Sequence, residues 1–409
     1  MPSEPSPPEA LKAAICANDA AAVASVLQQH PELEGQLDRA LPDFDFGATP
    51  LLGAVHHNNR EMVEVLLQAG ADINARSDWW AGSFGVLDHD GPLSDFLIER
   101  GARIDAHAAA RLGRLGELEA LVSANPALVH ARGGDGQTPL HFARSIAIAE
   151  FLLERGADID ALDVDHESTP AQWMIRDRQD VARYLAGRGC RTDILMASAL
   201  GDEALVRKHL AADPSAIRVN VSEEHFPKQN PRSGGSIYIW TLGAGKYPHA
   251  LAREFGHEDV FRLLMDASPD GLKLAVACEV GDDSLARTIV SGNPGLISTL
   301  TPFELRRLPE AARDNNIAAV RRMLEAGWPV DTVGQHGATA LHWAGWHGNV
   351  EMIRELLRRD PPLEATDRDF GGTPLSWTMY ASRHGWASSR GDYAASAELL
   401  TSAGARPPR

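Results

Sequence analysis

Cysteine is scarce: Cys16, Cys190 and Cys278 are the three in a chain of 409 residues, and they lie far apart. An odd number at such spacing builds no disulfide framework and repeats no zinc-module pattern. Reduced thiols in a cytoplasmic protein are therefore expected. Basic charge is also short, with 39 Lys and Arg against 56 Asp and Glu and a formal net charge of −17. No run of Lys or Arg forms a stripe that would track phosphates, which argues against nucleic acid as a partner. No apolar stretch approaches the roughly eighteen residues of a membrane span, and the N-terminus lacks a positive segment followed by an apolar one. Neither membrane insertion nor secretion is expected.

Chemistry-bearing motifs are equally thin. Gly243, Gly245, Gly371 and Gly372 sit in turn contexts, and none leads into the Lys-Ser/Thr of a phosphate loop. Serine has no nucleophile-elbow setting. Asp88, His89 and Asp90, and again Asp163, Asp165, His166 and Glu167, are acidic clusters of the kind that close turns on their own backbone amides. His342 and His347 are five apart, with His336 and His384 nearby, but no pair has the three or four spacing that puts two ligands on one helical face. The expectation is no metal, no cofactor and no catalytic residue, hence not an enzyme.

What the chain does contain is repetition. Thr138, Pro139, Leu140, His141, Phe142 and Ala143, closing at Gly156, Ala157 and Asp158, recur in stronger and weaker copies. The clearest openings are Thr49, Thr138, Thr169, Thr339 and Thr373, with 31 residues from Thr138 to Thr169 and 34 from Thr339 to Thr373. A Thr hydroxyl caps a helix, and Pro at the next position loses nothing because its missing amide would be unpaired in the first turn. A second helix follows, as in Val350 to Arg358, where Val350, Ile353, Leu356 and Leu357 recur at helical spacing. Gly70, Gly101, Gly156, Gly189 and Gly327 stand where a left-handed cap is needed.

This period and the Thr-Pro-Leu-His opening resemble the ankyrin repeat, and the resemblance covers nearly the whole chain. The fold class it implies is all-α: an ankyrin-repeat solenoid of about twelve helix-turn-helix units with short projecting hairpins. The units open near Glu9, Thr49, Trp80, His107, Thr138, Thr169, Thr192, Tyr247, Leu272, Arg306, Thr339 and Thr373. Met1 to Pro8 and Pro407 to Arg409 read as tails, leaving 9–406 as one array. Thr169 to Thr192 spans only 23 residues, so the hairpin there is expected to be missing. Trp80, Phe84, Phe142, Trp173, Leu251, Trp343 and Trp377 fall near one helix-one position and read as a core ladder. The resemblance further implies that His141 and His342 bond the backbone of the adjoining turn.

The function implied is a non-enzymatic scaffold or adaptor, a monomer that binds another protein through its concave face. Ankyrin repeats contact partners through turn tips and the exposed end of the first helix. Carried over by position, helix-one ends give His56, His57, Arg114, Arg176, Asp177, Glu254, Phe255, Arg313, Asp314, Trp346, His347 and Tyr380. The tips give Asp45, Phe46, Ser77, Asp78, Trp79, Asp165, His166, Gln335, His336, Asp369 and Phe370. Phe46, Trp79, Trp346 and Phe370 are the strongest candidates, as large apolar groups expected at exposed tips. Two insertions, Val221 to Lys246 and Ser382 to Asp392, support a rival reading: a ligand or catalytic pocket built from Trp240, His249, Trp346, His347, Arg383, His384 and Trp386.

Overall fold

The computed structural model describes residues 5–89, 91–386 and 388–407. The tail expectation at 1–4 and 408–409, and Asp90 of the first acidic cluster, lie outside them. Regular structure among the described residues is helical, apart from one isolated bridge between Val333 and Thr339. The helices fall into two compact units, one within Met1–Asp213 and Val219–His257, the other within Pro214–Arg218 and Glu258–Arg409.

The repeat chemistry is visible at Thr49. Its hydroxyl accepts the Leu52 amide at 3.3 Å and starts the helix Pro50–His56. Asn59 then caps Arg60–Gln68 by accepting the Met62 amide at 3.0 Å, and that helix buries Met62, Val63 and Leu66. It stops at Gly70, whose φ of 94° is the left-handed conformation a Cβ disfavours. The other four predicted cap glycines also have positive φ. His141 ties one repeat to the next: its Nδ1 accepts the Thr138 amide at 3.0 Å, and its Nε2–H donates to the Ser168 carbonyl at 3.2 Å. His342 does the same between Thr339 and Gly372.

Several units differ from expectation. The helix Pro7–Cys16 begins inside the segment read as tail, because Ser6 and Glu9 form a capping box. At Trp80 the first helix is absent and only Ser94–Glu99 is helical. Gly82 explains part of this: a Cβ there would lie 2.0 Å from the Gly133 carbonyl oxygen, so the chain passes too close to its neighbour for a helix surface. At Thr138 the first helix shrinks to one 3-10 turn, Pro139–Phe142, since Ser145 already caps the second helix Ile146–Glu154. Between Gln179–Gly187 and Ile194–Leu200 no hairpin projects, consistent with the short spacing. The helix Pro374–His384 takes in the first residues of the second insertion.

Each unit has its own core. In the first, one cluster runs from Leu11 to Ala108 and another from Ala106 to Leu251. In the second, Leu274 to Ala405 form one cluster that includes Leu356, which is fully buried. The aromatic ladder is core at Trp343 and Trp377, whose ring centres are 5.1 Å apart. Trp80, Phe84, Phe142 and Trp173 are only half-buried, so part of the ladder belongs to a surface.

Candidate functional site

The residue three before each Thr of the opening motif lies at a turn tip. It is Phe46, Asp135, His166, His336 and Phe370 at the five clear repeats. Phe46, Asp135 and His336 have φ of 56°, 55° and 62°, so the tip projects its side chain from a left-handed backbone. Successive tips lie beside one another, as His336 and Phe370 show with ring centres 5.3 Å apart.

In the first unit these tips and the first helices line a groove of about 410 Å³. Its apolar lining is Phe46, Phe84, Phe142 and Trp173, and its rim carries the exposed Arg144 and Arg176 together with the exposed Asp177. Arg176 is held in place by Glu254 at 2.7 Å and the Thr241 carbonyl at 2.9 Å, with its guanidinium 5.0 Å from the Phe255 ring. Two further arginines of the groove serve the scaffold. Arg111 donates to the Leu87 and His89 carbonyls, and Arg178 donates to those of His141 and Ala143.

One end of the groove carries buried charge. Asp135 is 8% exposed and accepts the Trp79 indole N–H at 3.0 Å. Burial pushes its carboxyl up to about 6; His166 opposes that, and Asp165 and Asp163 add to it. His166 presents Nε2 3.6 Å from Asp165 Oδ2 and donates Nδ1–H to the Gly235 carbonyl at 2.9 Å.

That carbonyl comes from the first insertion, which clips onto the preceding turn rather than standing free. Gln229 and Asn230 amides donate to Glu167, Ser233 Oγ donates to the Asp165 carbonyl, and the Ile237 amide donates to Ser168 Oγ. Its apolar half enters the core: Ile237, Tyr238 and Leu242 are buried, and Tyr238 O–H donates to Asp193 at 2.9 Å. Trp240 alone stays out, 68% exposed, its indole donating to the Gly234 carbonyl.

The second unit presents an aromatic surface. Trp346 packs against Trp377, Tyr380 and Trp386 with ring centres 5.6, 6.2 and 5.1 Å away. Phe370, Tyr380 and Trp386 remain exposed. The second insertion thus lays Trp386 over Trp346 and His347 as a cover.

The predicted contact residues divide accordingly. Phe46, His56, His57, Arg176, Phe370 and Tyr380 are exposed as expected, and His56 Nε2 lies 2.5 Å from His89 Nε2. Trp79 is not an exposed tip, because its indole reaches inward to Asp135. Trp346 is likewise half-buried, packed between Trp377 and Trp386. Phe255 lies half-buried under Arg176, and His347 donates inward to the Arg313 carbonyl at 2.6 Å. Arg114 and Arg313 are half-buried, Arg114 pairing with Asp95 and Glu117 and Arg313 with Asp314. Ser77 is buried, its hydroxyl accepting the Phe84 amide, and Asp165 is buried under the first insertion. Of the residues named for the rival pocket, Trp240 and His249 belong to the first unit, and Trp346, His347, Arg383, His384 and Trp386 to the second.

Sequence reasoning missed Asp135, Arg144 and the groove-facing role of Phe84, Phe142 and Trp173. The signal for Asp135 was available, since it holds the tip position of the best-formed repeat. Nothing local marked Arg144, which is exposed because its first helix is cut short.

Sequence models of the ankyrin repeat match residues 46–78 and 135–164, and a model of many ankyrin copies matches 308–357. The chain is 32% identical over 98 residues to the palmitoyltransferase Hip14 of Drosophila melanogaster, covering 24% of this chain and 14% of that protein. It is 27% identical over 143 residues to the potassium channel AKT2/3 of Arabidopsis thaliana, covering 33% and 18%. The chain therefore spans less than a fifth of the length of either relative. The crystal structure of the human ASB11 ankyrin repeat domain matches at 18% identity and a TM-score of 0.29, covering 75% of this chain and 100% of that one.

Proposed function

For a chain that is an ankyrin-repeat protein, we propose a non-enzymatic scaffold that binds a partner protein in the groove of its first unit. Ankyrin repeats are in general protein-interaction modules. The observation that carries the finer reading is the groove lining itself, where Phe46, Phe84, Phe142 and Trp173 stand beside the exposed Arg144 and Arg176. Aromatic and arginine side chains dominate interface hot spots. An apolar floor with two arginines at its rim suits a segment that carries a bulky apolar anchor next to a carboxylate. Arg176 is held before any partner arrives, so little side-chain entropy is lost on binding. A monomer in the cytoplasm completes the reading, supported by three free cysteines.

The test places a photo-crosslinking residue at position 144, in the groove, and separately at Glu119, exposed on the helix Leu115–Ala124. Capture at 144 of a protein not captured at 119, lost on adding Phe46→Ala and Arg176→Glu, is the expected result. Identical captures at both positions would overturn it.

A further inference from the structure

The Asp135, Asp165 and His166 cluster has a feature that turn closure leaves unexplained: too many acceptors face one another. One ligand atom from each residue lies within 4.8 Å of the other two. His166 donates its Nδ1–H to the Gly235 carbonyl at 2.9 Å, so the neutral ring keeps its lone pair on Nε2. That nitrogen faces Asp165 Oδ2 at 3.6 Å, beyond hydrogen-bond length. Asp135 is more than nine-tenths buried and receives one donor, Trp79 Nε1–H, on one of its two oxygens. Asp165, 6% exposed, receives the Gly234 amide on Oδ1, and among the described residues no donor reaches its Oδ2. No lysine or arginine pairs with either carboxylate among the described residues. Three converging acceptors repel one another unless a cation or proton lies between them.

We propose that Asp135, Asp165 and His166 bind one divalent first-row transition-metal ion. Metal–oxygen and metal–nitrogen distances of about 2.0–2.2 Å set tetrahedral ligand atoms roughly 3.3–3.6 Å apart, so a pair of these side chains draws together by at most about 1.5 Å, within the reach of side-chain rotation. The Nδ1–H to carbonyl bond is the outer contact that fixes tautomer and orientation in histidine ligands. Two carboxylates and an imidazole suit Zn²⁺, Co²⁺ or Mn²⁺ better than soft ions, and the imidazole disfavours Ca²⁺ and Mg²⁺. The first insertion is what completes the site. Gly234 lets it approach, since a Cβ there would lie 3.0 Å from His166 Cε1, and Gly235 supplies the carbonyl.

The experiment titrates the full chain, stripped with chelator, with Zn²⁺ and with Co²⁺ near pH 7.5 by calorimetry and Co²⁺ absorption. One equivalent is expected to bind, at least tenfold more weakly in Asp135→Asn and in His166→Gln, and with unchanged affinity in His56→Ala, which breaks the His56–His89 pair. Far-UV circular dichroism and melting temperature identify a variant that fails to fold, and Asp165→Asn then takes its place. A wild-type chain that binds no stoichiometric metal overturns the proposal. So does metal affinity that falls in His56→Ala but not in Asp135→Asn or His166→Gln.

Discussion

His141 holds two repeats together with its two ring nitrogens, and this works only for the neutral ring. Burial pushes its pKa down to about 3, while the unfolded ring titrates near 6.5. Between those values the unfolded chain binds a proton that the folded chain refuses. Stability is therefore full above about pH 6.5 and declines on acidification toward 3, by on the order of 2–3 kcal/mol at about pH 4.5. His342 is shifted in the same direction by burial. Chemical denaturation across pH should show this limb, and His141→Gln should be less stable at neutral pH yet have a shallower limb. An unchanged slope would remove His141 as its source. Leu356, fully buried between repeats, is expected to cost about 2–5 kcal/mol when changed to Ala. A change below about 0.5 kcal/mol would mean the side chain is not packed between repeats. Trp346→Ala is expected to destabilise by about 1–3 kcal/mol, less than a fully buried Trp. The sequence reading placed Trp346 on the surface because helix-one spacing reports which end of a helix a residue occupies. It does not report that Trp386, 40 positions later, folds over it.

At the scale of elements, the helix pairs were legible because their signals are local. Thr-Pro starts, Asn and Asp caps and Gly stops each act within about four residues, and the observed helices begin and end on them. Where the neighbouring backbone intrudes, the local signals lose, as at Gly82 and the missing first helix after Trp80. The first insertion is the clearest case of a segment whose role depends on distant partners. Its buried Tyr238 donates to Asp193, which also caps Ile194–Leu200 through the Met196 amide at 2.8 Å. Tyr238→Phe leaves a half-buried carboxylate short of a donor and is expected to cost about 1–3 kcal/mol. Limited proteolysis should then cut residues 221–246 faster than in the native chain. Equal cleavage rates would mean that the insertion is anchored by its backbone bonds alone.

For the whole molecule, repeat stacking couples each helix pair to its neighbours and leaves distant pairs uncoupled. Equilibrium unfolding of such a chain is not expected to be two-state. Five of the nine tryptophans, Trp328, Trp343, Trp346, Trp377 and Trp386, lie in the second unit. Leu356→Ala should therefore shift the fluorescence transition in urea more than the circular dichroism transition. Coincident curves for both proteins would show one cooperative block instead. Composition and periodicity by themselves determined that the chain is a helical repeat array, because that pattern needs only local caps and apolar spacing. They also located the tip positions that vary from repeat to repeat. Tertiary structure alone decided which of those positions face solvent, which turn inward like Trp79, and which meet. Asp135 and His166 are 31 residues apart, and only stacking of their repeats under the first insertion brings them into one cluster.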